Sequence, residues 1–272
     1  MASHFHVPET IEDALRLRRE LHGAASFLAG GTEVNNRKAK EAPEHLVWLG
    51  RLGLGGITHR DEGVSIGAMT TLQEILESEI IHPAIHQATS NHANRNIRNV
   101  ATIGGHLGVC RSCADLIPVL LTLGARLRVA TDSGEIERDL ESWVLGERDG
   151  IVLSVEVPDP PGDLRIAIEN HSRTANDLSL IAAAVSLRND AGRVRNAIVA
   201  VGGVSRTVIR LRPVEAALDG RPLPARHEVE ALVAAHVDPI TDIRGSAAFK
   251  RHLAATLVER ALRSAWNQEG CR

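Results

Sequence analysis

Phe27-Leu28-Ala29-Gly30-Gly31-Thr32-Glu33 and Ile97-Arg98-Asn99-Val100-Ala101-Thr102-Ile103-Gly104-Gly105 are the two stretches on which the reading of this chain turns. Each sets a glycine pair after a β-like apolar run and before polar residues. Backbone without side chains can turn its N–H groups inward and admit anionic oxygens, so two such loops can grip one pyrophosphate from both sides. Neither is G-x-G-x-x-G and neither is G-x-x-x-x-G-K-[ST], so the Rossmann and P-loop readings both fail. A glycine pair is also an ordinary tight turn, and spacing alone leaves both readings open.

Working outward, Thr10 and Asp13 have capping-box spacing, and apolar residues at helical intervals predict a helix over Ile11 to His22. Ala25 to Leu28 and Leu46 to Leu49 read as strands, which makes residues 1–55 a small α/β unit. From Gly56 a strand, the turn Asp61-Glu62-Gly63 and a strand Val64 to Gly67 form a hairpin. Helical stretches follow at Thr71 to Leu76 and Pro83 to Ala93, and the polar segment from Asn94 to Asn99 leads to a second glycine-rich turn at Gly104-Gly105. Asp115 to Leu123 reads as an apolar helix, with strands at Arg126 to Ala130 and Ile151 to Val157. Pro158-Asp159-Pro160-Pro161-Gly162 breaks the chain and sets the domain divisions 1–55, 56–162 and 163–272. Beyond it lie strands over Ile166 to Asn170, Ile181 to Arg188 and Ala197 to Val201, then helices at Pro213 to Leu218, Ala225 to Ala235 and Ser246 to Trp266. The fold class is α+β.

Composition narrows the function. The 272 residues are 43% hydrophobic and 24% charged, as in a folded protein of two or three domains. Lys and Arg total 31 against 34 Asp and Glu, so no basic field exists to hold nucleic acid. With no Tyr, three Phe and three Trp, stacking platforms are scarce as well. The longest apolar runs fall far short of the roughly 20 residues that cross a bilayer, so no membrane span is expected. Three cysteines and a start without an apolar leader point to the cytoplasm. Ser65, Ser172 and Ser205 lack a nucleophile elbow, and His4 with His6, alternating on an N-terminal strand, reads as surface chemistry. No catalytic side chain and no metal ligand is assigned.

The two glycine motifs, followed by Ala114-Asp115-Leu116, closely resemble the FAD-binding medium subunit of molybdenum hydroxylases, the family of the carbon monoxide dehydrogenase and bacterial xanthine dehydrogenase flavoproteins. The likeness continues through Ser172-Arg173, Leu180 to Ala184, Gly202-Gly203 and Asp242-Ile243-Arg244-Gly245-Ser246. It implies a two-subdomain, PCMH-like FAD-binding domain followed by a C-terminal domain of antiparallel sheet and helices. The cofactor implied is FAD. Leu28, Ala29, Gly30, Gly31, Thr32, Glu33, Val34 and Asn35, with Thr102, Ile103, Gly104, Gly105 and His106, would wrap its pyrophosphate and ribityl chain. Asp115 would accept hydrogen bonds from its hydroxyls, and Val152 and Glu169 fall where relatives also touch it.

The resemblance further implies electron transfer from iron–sulfur clusters through FAD to a terminal acceptor. The molybdenum cofactor would sit on a large partner subunit and the 2Fe-2S clusters on a small one, in a dimer of heterotrimers. Three cysteines cannot hold two clusters, so the partners are required. The alternatives are a stand-alone FAD oxidoreductase and an assembly subunit that has lost FAD. Three positions depart from the family. His106 stands where relatives have Asn, Glu169 where some have Lys, and Cys110-Arg-Ser-Cys113 where small residues are usual. A C-x-x-C pair can bind metal, cycle as a disulfide or be inert.

Overall fold

The computed structural model describes residues 4–34, 43–146, 148–174 and 177–268. Asn35 and Cys271 lie outside them. The chain forms two interleaved compact units. One holds residues 1–81, 94–109 and 125–157, and the other residues 82–93, 110–124 and 158–272.

The first unit begins with a three-stranded parallel sheet in the order β1-β3-β2, from β1 (His4–His6), β2 (Ala25–Leu28) and β3 (His45–Trp48). Between β1 and β2, helix α1 (Ile11–Glu20) starts where Thr10 Oγ1 accepts the Asp13 N–H at 3.1 Å. Its Ala14 is fully buried, and Ile11, Leu15 and Leu17 pack on a core of Ala25, Val47, Leu49, Ala130, Ile151 and Leu153. That core joins the parallel sheet to a five-stranded sheet in the order β4-β5-β8-β6-β7. Its strands are β4 (Ile57–Arg60), β5 (Gly63–Gly67), β6 (Arg126–Thr131), β7 (Gly134–Asp139) and β8 (Ile151–Pro158). Helices α2 (Leu72–Glu77), α4 (Arg95–Arg98), α5 (Ile103–Val109) and α7 (Leu140–Leu145) complete the unit. Thr71 and Glu74 close a reciprocal capping box on α2. Trp143 of α7 is buried and donates its indole N–H to the Leu107 carbonyl at 3.1 Å.

The second unit is built on a four-stranded antiparallel sheet ordered β12-β11-β10-β9, from β9 (Arg165–His171), β10 (Ile181–Asp190), β11 (Arg193–Gly202) and β12 (Ile209–Arg210). The β10–β11 hairpin closes with Asp190 opposite Arg193, and both residues between them, Ala191 and Gly192, have positive φ (48° and 80°). That is the backbone a type I′ turn needs. Helix α10 (Ala247–Asn267) begins where Ser246 Oγ accepts the Phe249 N–H at 3.2 Å. It lays Ala254, Val258, Ala261, Leu262 and Ala265 on β9 and β10, where they share a core with Ala183, Val185, Val199 and Val201. Helices α3 (Pro83–Asn91), α6 (Leu116–Thr122), α8 (Arg212–Leu218) and α9 (Arg226–Ala234) pack within this unit.

Three features differ from the sequence expectation. Gly104 and Gly105 are not in a turn. They open α5, because the amides of residues 103, 104 and 106 all find carbonyl acceptors and Gly105 finds the Thr102 hydroxyl. Strand β7 lacks an apolar alternation, since Gly-Glu-Ile-Glu-Arg-Asp is almost wholly exposed. It is held to β6 by the ladder and by ion pairs of Arg126 with Glu137 and Arg128 with Glu135. Helix α4 lies inside the polar segment from Asn94 to Asn99, for which the sequence predicts no element, and Asn94 Oδ1 caps the Ile97 N–H there at 3.0 Å. Among the described residues no helix is long and apolar enough to cross a membrane.

Candidate cofactor site

Within the first unit the two glycine segments abut. The parallel ladder carries β2 alongside β3 as far as Leu28, whose carbonyl accepts the Leu49 N–H at 2.9 Å. The chain then leaves the sheet through Ala29-Gly30-Gly31, with Gly31 at φ 71°. A Cβ on Gly30 would stand 1.7 Å from the Val100 carbonyl oxygen, and one on Gly105 would stand 3.7 Å from the Ala29 Cβ. Glycine at position 30 is therefore what allows the two segments to touch.

The second segment is fixed by its own hydrogen bonds. Thr102 and Thr71 form an isolated antiparallel bridge, and Leu72 N–H donates to the Ala101 carbonyl at 2.8 Å. Ile103 N–H donates to Thr70 at 3.0 Å and Gly104 N–H to Ala68 at 2.8 Å, while Gly105 N–H donates to Thr102 Oγ1 at 3.1 Å. Gly104 has no room for a side chain, since its Cβ would meet Ala68 Cβ at 2.7 Å. Val152 is buried on β8, and the next carbonyl along, that of Leu153, accepts the Ala68 N–H at 2.9 Å. The anchors Ala68, Thr70 and Val100 carry backbone chemistry that any side chain would supply, so no residue-type signal in the sequence marks them.

The two glycine pairs thus offer different things. The amides of residues 103–105 are already engaged by the protein, so the second glycine pair supplies shape rather than donors. In the first segment, no described residue accepts a hydrogen bond from the backbone N–H of Gly30, Gly31 or Thr32. These residues are half-buried to exposed, and three amides left open beside side-chain-free backbone make a concave donor set that suits an anion. That fits the pyrophosphate of a dinucleotide such as FAD.

Asp115 and Glu169 belong to the second unit. Asp115 is 5% exposed, directly precedes α6, and its Oδ2 bonds His92 Nδ1 at 2.9 Å. Its other oxygen is buried and has no partner among the described residues, which leaves one acceptor position open. Glu169 sits half-buried on β9 opposite Ala183. Cys110 and Cys113 are both buried and form no disulfide among the described residues, with Cys110 at φ 48°. Gly202 and Gly203, which carried part of the resemblance, close on the same unit's backbone. Gly203 N–H donates to Ser112 at 2.7 Å, and a Cβ there would meet the Leu180 carbonyl at 2.1 Å.

Residues 1–160 match the family profile described as the FAD binding domain in molybdopterin dehydrogenase, and residues 166–265 match the CO dehydrogenase flavoprotein C-terminal domain. The chain belongs to the FAD-binding medium subunits of molybdenum hydroxylases. This medium subunit is 30% identical over 259 residues to the uncharacterized protein YgfM of Escherichia coli, covering 95% of this chain and 94% of that one. It is also 30% identical over 275 residues to the carbon monoxide dehydrogenase medium chain of Afipia carboxidovorans, covering 96% of each. Among solved structures, the carbon monoxide dehydrogenase of Hydrogenophaga pseudoflava that lacks the Mo-pyranopterin moiety superposes with a TM-score of 0.90 at 27% identity, over 98% of both chains. The medium subunit is accordingly an FAD-dependent oxidoreductase component of the carbon monoxide and xanthine dehydrogenase type, and the α+β architecture expected from the sequence is the one observed.

Proposed function

We propose that this subunit relays electrons from iron–sulfur clusters on a small partner subunit, through FAD, to a terminal acceptor, while substrate is oxidised at a molybdenum cofactor on a large partner. The observation that carries this reading is the open set of amides at Gly30, Gly31 and Thr32 set against the rigid segment from Thr102 to His106. Bound there, FAD supplies a store for two electrons that exchanges them singly or in pairs. The chain's own residues do the rest. The three amides hold the negative charge, Gly30 keeps the two segments in register, and the hydrogen bonds of residues 103–105 stop the second segment from moving when ligand binds.

Among the described residues the only cysteines are Cys110 and Cys113, which cannot ligate two clusters, so the electrons must arrive from another chain. A dimer of heterotrimers in the cytoplasm is the proposed assembly. The contacts at Leu28 to Asn35, Thr102 to His106 and Val152 are proposed with it. Asp115 and Glu169 are proposed from the resemblance and, for Asp115, from its open acceptor oxygen. The division of the chain into 1–55, 56–162 and 163–272 belongs to the same proposal.

The test is a rapid-mixing experiment. FAD-loaded subunit is mixed without oxygen with the chemically reduced iron–sulfur partner, and the visible flavin band is followed. Bleaching to completion within the mixing experiment supports the relay. A band unchanged by the reduced partner, while dithionite still bleaches it, contradicts the relay.

A further inference from the structure

The three-stranded sheet of the first unit carries a cluster that the cofactor reading leaves unused. His4 and His6 alternate on β1 and so share a face, and the parallel register places His4 opposite His45, the first residue of β3. The His4 and His45 rings stack with centroids 4.5 Å apart, and His6 Nε2 lies 3.0 Å from His45 Nδ1. Glu44 comes next to His45 in the chain, and its carbonyl accepts the His4 N–H at 3.1 Å. One donor atom from each of His4, Glu44 and His45 lies within 4.8 Å of the others, the only such grouping among the described residues. His4 and Glu44 are exposed and His45 is half-buried, so solvent reaches the group.

We propose that His4, Glu44 and His45 form a site for a divalent transition-metal ion, with His6 a positioning residue that holds the His45 ring. Gathering three imidazoles on a three-residue edge strand and its neighbour contributes little apolar burial, so packing does not account for it. Two imidazole nitrogens and a carboxylate oxygen are the donor set that zinc and its neighbours take, whereas calcium and magnesium prefer oxygen alone. A ligating histidine whose second nitrogen is hydrogen-bonded, as His6 does for His45, is the usual outer arrangement of such sites. The ion would tie edge strand β1 to β3 at the register pair of His4 and His45.

Untagged full-length protein, stripped with chelator and dialysed against zinc ion alone, tests this. One tight equivalent per chain is expected, weakened at least tenfold by His4→Ala and by His45→Ala, and less by Glu44→Gln. His6→Ala should weaken it too, while His6→Gln, which keeps a hydrogen-bonding group, restores part of the affinity. Zinc should raise the thermal midpoint of the parent protein and not that of His4→Ala, and the double substitution of Cys110 and Cys113 by Ser should leave the bound equivalent in place. If His45→Ala does not fold, the exposed His4→Ala carries the test, with far-ultraviolet dichroism as the check on folding. The proposal is overturned if no equivalent binds, or if His4→Ala binds zinc as the parent protein does.

Discussion

Replacing Gly30 by alanine brings a methyl group to 1.7 Å from the Val100 carbonyl oxygen, an approach no real Cβ makes. One segment must then retreat by more than about 1 Å, since non-bonded contacts sit near 3 Å or beyond. Overpacking of this kind costs roughly 1–3 kcal/mol, or about 2–12 °C in the thermal midpoint of a chain this size. The larger effect falls on the ligand. A charge-assisted hydrogen bond to an anion is worth about 1.5–3 kcal/mol, so misaligning two of the three open amides costs at least about 3 kcal/mol, more than a hundredfold in FAD affinity. The control is Gly108→Ala on α5, in the facing segment, where a Cβ meets nothing within 4 Å and alanine favours the helix. Apoprotein of each variant is titrated with FAD by flavin fluorescence and melted in parallel. Gly30→Ala binding FAD as tightly as Gly108→Ala, with the same midpoint, would refute the contact between the segments.

Asp115→Ala removes a buried acceptor from His92, which should lower stability by about 1–3 kcal/mol in urea unfolding, while Asp115→Asn, which keeps that hydrogen bond, should lose less. Glu215 is buried, accepts the Val199 N–H at 2.9 Å and grips Arg210 Nε and Nη2 at 3.0 and 2.8 Å, so Glu215→Ala should destabilise the second unit by about 3–5 kcal/mol and Glu215→Gln by less. The buried Lys250 ammonium, bonded to Asp242 at 2.7 Å, holds that carboxyl below its ordinary value of 3.8. A depressed folded value means that the pair stabilises the protein above pH 3.8 and that the gain disappears as pH falls through the lower folded value. The difference in thermal midpoint between the parent protein and Asp242→Asn should therefore be constant near neutrality and shrink toward zero on the acid side. Cys110 and Cys113, both buried, should react with a thiol reagent only after denaturation.

Elements with a strong apolar period were legible from sequence. Ala25–Leu28 was placed to the residue, and α10 to within one, the latter because Ala, Val and Leu recur on its buried face. Strand β7 was not legible, since its hold on β6 comes from exposed Glu and Arg pairs that look like loop. The glycine pairs were found, but their physics was divided differently from the reading of two equal donor loops. What determines whether a glycine amide faces a ligand is whether a carbonyl such as that of Ala68 reaches it first, and Ala68 lies far off in the chain. The zinc-type cluster was half visible, as His4 and His6. The parallel register that brings in Glu44 and His45 is a long-range pairing that no local pattern encodes.

The most direct measurement is the chromophore of the purified subunit. Its visible spectrum is recorded, the nucleotide is released by heat, and the product is identified and counted. FAD at near one per chain is the expected result. A colourless protein that also fails to take up added FAD would contradict it.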